Sequence, residues 1–320
     1  MDRKIEINLR TLLIFAAIAG AAYILWQIRG VLYIVTLAYL IAVAVLPLAA
    51  KLQVHRLPRT ASIFAAYIFV LALIIGLATL VIPPLVSESS KFYAMFPGYF
   101  EKVTRDLQID ASVVNQNIER VGASFLRVVL SLVSDTVQFV TIFVVSVYIA
   151  FERRNFKKYL IEIFGDTRGS RIESVIEHVE VNIGRWLRGQ IVLCLIIGVV
   201  TYVGLTALKF PYAVPLAVIA GILEAVPNIG PILSSIPAVI IGFSNSTFSG
   251  VVAIALYVLI QQFENHLIVP RVMAGVTGLR PLAVIIVLLI GGSLMGTIGV
   301  ILAIPAFLVV KTIVEETVKK

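Results

Sequence analysis

Apolar runs punctuated by short polar clusters divide the chain. Thr11–Ile28, Val31–Ala50, Thr60–Pro83 and Val128–Phe151 are each long enough, at 18 residues or more, to cross the hydrocarbon of a bilayer as a helix. Gln190–Leu208 and Val251–Val269 repeat the pattern further on. The remaining apolar pieces are shorter. Tyr212–Leu223 and Ile232–Phe243 flank the polar turn EAVPNIGP. Pro281–Ile290 and Val300–Lys311 flank GGSLMGTIG. A helix of about a dozen residues is about 18 Å long against a hydrocarbon core of about 30 Å, so such a piece does not span alone. Each pair therefore predicts a re-entrant hairpin, whose irregular tip must be buried in protein or line a wet cavity.

The two hairpins share letters. PLAVI at Pro215–Ile219 recurs at Pro281–Ile285, IGPIL at Ile229–Leu233 as IGVIL at Ile298–Leu302, and IPA at Ile236–Ala238 as IPA at Ile304–Ala306. The matches keep their order and nearly keep their spacing. One full span, Val251–Val269, lies between the hairpins, so the second enters from the opposite side. The pattern predicts an all-α polytopic integral membrane protein with about six full transmembrane helices, two opposed re-entrant helical hairpins in an inverted repeat, and amphipathic non-spanning helices.

Charge orients the spans. Arg3, Lys4 and Arg10 precede the first; Lys51, Arg56 and Arg59 follow the second; and Arg153, Arg154, Lys157, Lys158, Arg168, Arg171, Arg185 and Arg188 follow the fourth. The intervening turns are bare or balanced. Basic loops stay in the cytoplasm, which places both termini there. The chain divides into a three-span region (1–83), an extracytoplasmic helical region (84–127), a fourth span (128–151), a cytoplasmic amphipathic region (152–188) and a core (189–320) with span-plus-hairpin units at 189–243 and 250–312. Pro83-Pro84 is expected to end the third helix, and Pro97-Gly98 to break the next. Within Phe156–Ile183 the apolar residues recur on one helical face, suited to the inner leaflet or a neighbouring subunit.

Composition agrees. The 320 residues are 60% apolar, with a net charge of +8. Soluble domains are about 45–50% apolar. The basic excess is read as topology. Nucleic-acid binding is not expected, because no basic cluster is interleaved with aromatics. A single cysteine, Cys194, excludes disulfides within the chain and Cys-cluster metal sites, and His55, His178 and His266 lack metal spacing. The first apolar run is longer than a signal h-region and is read as a retained transmembrane helix. No nucleotide-binding or hydrolytic motif is present, so the chain is not read as an enzyme, and any transport is gradient-driven or passive.

Polar residues inside apolar runs are the candidate chemistry. Glu224 and Asn228 sit at the first hairpin's turn. Glu224 either binds a cation or proton, or is held by donors for structure alone. Gln261, Gln262, Glu264, Asn265 and His266 end the sixth span; they form a polar wall toward the hairpin tips or simply approach the interface. Pro270 then breaks the helix. Arg271 and Arg280 are counter-ions for Glu264 or anchors for lipid phosphate. Gly291, Gly292, Gly296 and Gly299 admit a solute or let helices pack closely.

EAVPNIGPILSSIPAVIIG, QQFENHLIVPRVMAG and LRPLAVIIVLLIGGSLMGTIGVILAIPAF resemble the autoinducer-2 exporter family, described as permease-like, and the resemblance extends over essentially the whole chain. It implies a transporter of the bacterial or archaeal cytoplasmic (inner) membrane. Members are linked to export of the quorum-sensing signal autoinducer-2, and others are described as sodium/proton or lithium/proton antiporters. By position, the family's P-N-x-G-P turn is Pro227, Asn228, Gly230 and Pro231; its N-x-x-x-x-P-R segment is Asn265, Pro270 and Arg271; its Gly-Gly turn is Gly291 and Gly292. Arg280 stands where the family often has histidine, and an arginine cannot titrate near neutral pH. The combined expectation is a secondary transporter working by alternating access. It exports a small polar solute coupled to H⁺ or Na⁺ through Glu224 and possibly Glu264, with no other cofactor. The alternatives are a monovalent cation/proton antiporter without organic solute and a non-transporting membrane scaffold. Membrane lipid, the solute or cation, and further copies of the chain in a homo-oligomer are the expected partners.

Overall fold

The computed structural model describes residues 9–54, 56–106, 136–227, 229–273 and 281–318. Every element among them is helical. In order these are α1 (Leu9–Gln27), α2 (Arg29–Val54), α3 (Arg59–Asp106), α4 (Thr136–Glu152), α5 (Phe156–Phe164), α6 (Asp166–Ala207), α7 (Ala213–Leu223), α8 (Gly230–Asn245), α9 (Thr247–Phe263), a π-helical turn (Glu264–Ile268), α10 (Val269–Val272) and α11 (Pro281–Val318). Among the described residues, five helical segments are long and apolar enough to cross a membrane: Arg29–Val54, Arg59–Phe92, Asp166–Ala207, Thr247–Val272 and Ile298–Val318. Ala16–Gln27, Val137–Glu152, Ala213–Leu223, Gly230–Asn245 and Leu282–Gly296 are shorter apolar helices.

Four of the five long segments overlap the expected spans Val31–Ala50, Thr60–Pro83, Gln190–Leu208 and Val251–Val269. At the other two expected spans, Thr11–Ile28 and Val128–Phe151, the described apolar helices are shorter, and residues 128–135 lie outside the described residues. The second arm of the second hairpin, expected to stop at Lys311, runs on to Val318 and is long enough to span. Lys311 faces Glu315 one turn on, at 3.8 Å, so the charge is accommodated along the helix instead of ending it.

The prolines of α3 do not break it. One helix of 48 residues runs through Pro83, Pro84 and Pro97-Gly98, about 72 Å at 1.5 Å per residue. A proline deletes one backbone donor, and packing just after the pair compensates. Leu85 is buried against Ile219 of α7, and Phe92 against Leu205, Leu216 and Ile241. The amphipathic stretch after Gly165 and the expected span Gln190–Leu208 are likewise a single helix of 42 residues, α6.

That long helix is the hub, packing against α2, α5, α7, α9, α10 and α11. Val179, Ile183 and Trp186 meet Leu40 and Val43 of α2 and Leu288, Ile304 and Leu308 of α11 in one core. Ile197 meets Ala220 and Ile260 in another. The helices α2, α3 and α4 form a third, where the Tyr67 hydroxyl is 2.6 Å from Ser146 Oγ and donates to the Ser146 carbonyl at 3.0 Å. An ion cluster ties these parts together. Arg153, just after α4, donates from Nε to both Glu180 oxygens (2.6 and 2.8 Å) and from Nη1 to Glu173 Oε1 (2.8 Å), while Tyr39 Oη donates to Glu180 Oε1 at 3.0 Å. Burial opposes the Arg153 charge, and its hydrogen bonds to Glu180 and Glu173 outweigh that, so its pKa rises.

Candidate functional site

Both glycine-marked segments are helical hairpins with closely packed arms. In the first, α7 ends at Leu223 and the chain turns through Glu224–Ile229 into α8. Gly230 N–H donates to the Val226 carbonyl at 3.0 Å. A Cβ at Gly230 would overlap the Leu223 carbonyl, which is why glycine opens α8. Pro231 follows in the first helical turn, where its missing donor costs nothing. Gly230 and Pro231 are buried and Pro227 is half-buried; Asn228 lies outside the described residues. In the second hairpin the arms meet at Gly296, whose φ of 60° and ψ of −140° suit only glycine. A Cβ at Gly299 would overlap the Gly291 carbonyl, and one at Gly292 would lie 3.2 Å from Val300 Cγ2. Gly291 and Gly299 thus serve close packing of the arms, and Gly296 makes the turn.

Glu224 caps the C-terminal end of α7 and is 1% exposed. Glu264 opens the π-helical turn and is 3% exposed. The two carboxyl groups are within hydrogen-bonding reach of each other. Glu264 Oε2 also accepts from Gln261 Nε2 at 3.2 Å, while Glu224 Oε2 is buried with no partner among the described residues. The π turn has a local cause. Pro270 lacks an N–H, and its ring clashes with the carbonyl four residues back. The wider turn, closed by Val269 N–H on the Glu264 carbonyl, absorbs this directly at the carboxylate.

Gln190 is absent from the sequence candidates, because it reads as the polar first residue of an apolar run. It is 4% exposed, and its Nε2 donates to the Glu224 backbone carbonyl at 2.6 Å, while its Oε1 is buried without a partner among the described residues. One turn along α6 from Gln190, a Cβ at Gly221 would approach the Cys194 carbonyl at 2.8 Å, so α6 and α7 touch at backbone level. The acidic pair is therefore walled by α6, α7 and the end of α9.

The remaining candidates separate from it. Gln262, Asn265 and His266 are exposed; His266 Nδ1 is 3.0 Å from the Gln262 carbonyl, and Asn265 Oδ1 accepts weakly from Gln261 Nε2 at 3.5 Å. Of the polar wall, only Glu264 and, in part, Gln261 turn inward. Pro270 and Arg271 are exposed. Glu264 has no ion pair among the described residues, so Arg271 is not its counter-ion, and Arg280 lies outside the described residues.

Comparison with known proteins identifies the family. The sequence model of the AI-2E family transporters matches residues 12–319. "Putative transport protein YueF" of Bacillus subtilis (strain 168) is 27% identical over 285 residues, covering 82% of this chain and 77% of that protein. "Putative transport protein YrrI" of the same organism is 31% identical over 144 residues, 45% of this chain and 40% of that protein. "AI-2 transport protein TqsA" of Escherichia coli (strain K12) is 30% identical over 138 residues, covering 42% of this chain and 40% of that protein. The chain is a multi-pass membrane protein of a bacterial transporter family, not an enzyme family, and it belongs to the AI-2E family of transporters.

Proposed function

We propose that this chain is a secondary transporter of the cytoplasmic membrane, with both termini in the cytoplasm, in which the Glu224–Glu264 pair couples a cation to the movement of a small polar solute out of the cell. The observation that carries the reading is the pair itself. Two carboxylates in mutual contact, almost wholly buried, cannot both stay ionised and unaccompanied. They hold a proton or a monovalent cation between them. One carboxylate belongs to a hairpin tip and the other to a span of the following repeat, so relative motion of the two units opens the pair and exchanges its occupant. That is alternating access at a repeat interface, with the hairpins entering the membrane from opposite sides. The solute class, an autoinducer-2-like sugar derivative, follows from the name of TqsA, to which about two fifths of this chain is similar.

The acidic pair favours one second reading, exchange of Na⁺ or Li⁺ for protons with no organic solute. Sealed proteoliposomes with a pH dye inside separate the two. Under an imposed Na⁺ gradient, the wild type is expected to change the internal pH and Glu224→Gln to leave it unchanged. If the wild type gives no pH change but loaded autoinducer-2 leaves the vesicles, export stands without cation exchange. If neither occurs, the transport reading fails.

A further inference from the structure

The bundle end that carries the α2–α3 loop and the α4–α5 junction is basic and apolar at once. Phe64 and Phe151 pack there with ring centroids 5.1 Å apart, which brings the start of α3 and the end of α4 together. From that point α5 turns back and is fixed in place. Tyr159 Oη donates to Glu152 Oε1 at 2.8 Å, and Asn155 Nδ2 to the same oxygen at 3.3 Å. On the other side Gly169 lets α6 approach the α5 backbone, where a Cβ would come within 2.7 Å of Leu160 O and Ile161 Cα. Leu160 is buried against this support. Phe156, Tyr159 and Ile163 share the uncovered stripe, and Ile163 is 71% exposed. Lys157 and Lys158 are exposed on the same short helix, and Arg154, Arg168, Lys51 and Arg56 are also exposed at this end, against the exposed carboxylates Glu152, Glu162 and Asp166, next to exposed Val54 and Leu57.

We infer that α5 is an interfacial anchor that lies in the headgroup layer of the membrane and binds anionic phospholipid, its aromatic and aliphatic stripe entering the acyl boundary and its lysines holding lipid phosphate. A nine-residue helix this short does not persist by propensity, yet it is clamped at both ends with its apolar stripe outward. The exposed cations of this end outnumber its exposed carboxylates and so complement a negatively charged leaflet, where each cation adds attraction near the surface. A second copy of the chain would bring the same cations against themselves, which disfavours self-association through this face.

The test uses the full chain, with Cys194→Ala and Ile163→Cys carrying a bimane label, in vesicles of phosphatidylcholine. Doxyl-labelled phosphatidylglycerol or doxyl-labelled phosphatidylcholine is then added at low mole fraction. The expected result is quenching by both lipids, with about a fivefold preference for the anionic one, falling toward equality when Lys157→Gln and Lys158→Gln are added. Equal quenching by the two lipids before those changes would overturn the headgroup assignment. Quenching by aqueous acrylamide alone would show that the helix stands in water. Protection from every quencher would show that protein covers the face. Each of those results removes the proposal.

Discussion

The two hairpins are written in partly shared letters and do different work. PLAVI begins α7 and recurs at the start of α11, and each turn relies on a glycine that nothing larger replaces. The first arm of the first hairpin is enclosed: Pro215, Leu216, Ala217, Ile219, Ala220 and Gly221 are all buried, and the carboxylate at its end is sealed between α6 and α9, whereas Ile232 and Leu233 at the start of the second arm are exposed. The second presents its tip outward, with Leu294 75% and Met295 52% exposed. Shared letters set the hairpin shape, whereas the neighbours decide which tip is a site. On the proposed mechanism the first tip holds the coupling ion, and the second is a greasy turn whose work is packing.

That contrast breaks most severely at the acid. Glu264→Gln is expected to lower coupled transport at least as much as Glu224→Gln, by about a hundredfold or more, because the contact needs both groups. Initial rates of dye-reported exchange in proteoliposomes measure it, and an active Glu264→Gln protein would detach Glu264 from the site. Next in size are the glycines. Gly230→Ala places a Cβ into the Leu223 carbonyl and should cost about 3 kcal/mol or more, read as lost thermal stability in detergent. Gly296→Ala meets no neighbouring atom, so its cost is backbone strain alone, about 1–3 kcal/mol. A larger penalty at Gly296 than at Gly230 would reverse the ranking of the two turns.

Gln190→Leu should be smaller, about 1–3 kcal/mol, because it leaves the Glu224 carbonyl buried without its donor. It should also alter the cation dependence of exchange more than the amount of folded protein, and an unchanged cation profile would reduce Gln190 to scaffolding. The smallest effect is expected for Leu294→Ser at the exposed tip, within about 0.5 kcal/mol and without effect on transport. A transport defect there would show that the second tip is a site after all.

Part of this architecture is legible in the chain and part is not, for identifiable reasons. Glu224 and its turn stand out because a carboxylate and three prolines interrupt hydrocarbon. Glu264 is visible as a polar residue near a helix end, but its partner is not, since the contact joins separate helices through tertiary packing. Gln190 is hidden by position. Length finds the spans, yet it misses the continuity of α3 and α6, because proline and a change from amphipathic to apolar both look like boundaries when only neighbours in sequence are considered. Packing at Leu85 and Phe92 outweighs the local preference of Pro83-Pro84. Pro270 foreshadows the wide turn at Glu264. In the sequence it reads as a helix end, whereas the helix instead loosens by one residue and continues.

The most direct test of the central claim is proton release by the purified protein in weakly buffered detergent as Na⁺ or Li⁺ is added. If the Glu224–Glu264 pair exchanges a proton for a monovalent cation, the wild type will release protons in a saturable way, and both Glu224→Gln and Glu264→Gln will release none. No release from the wild type, or release that survives both substitutions, would contradict coupling at this pair.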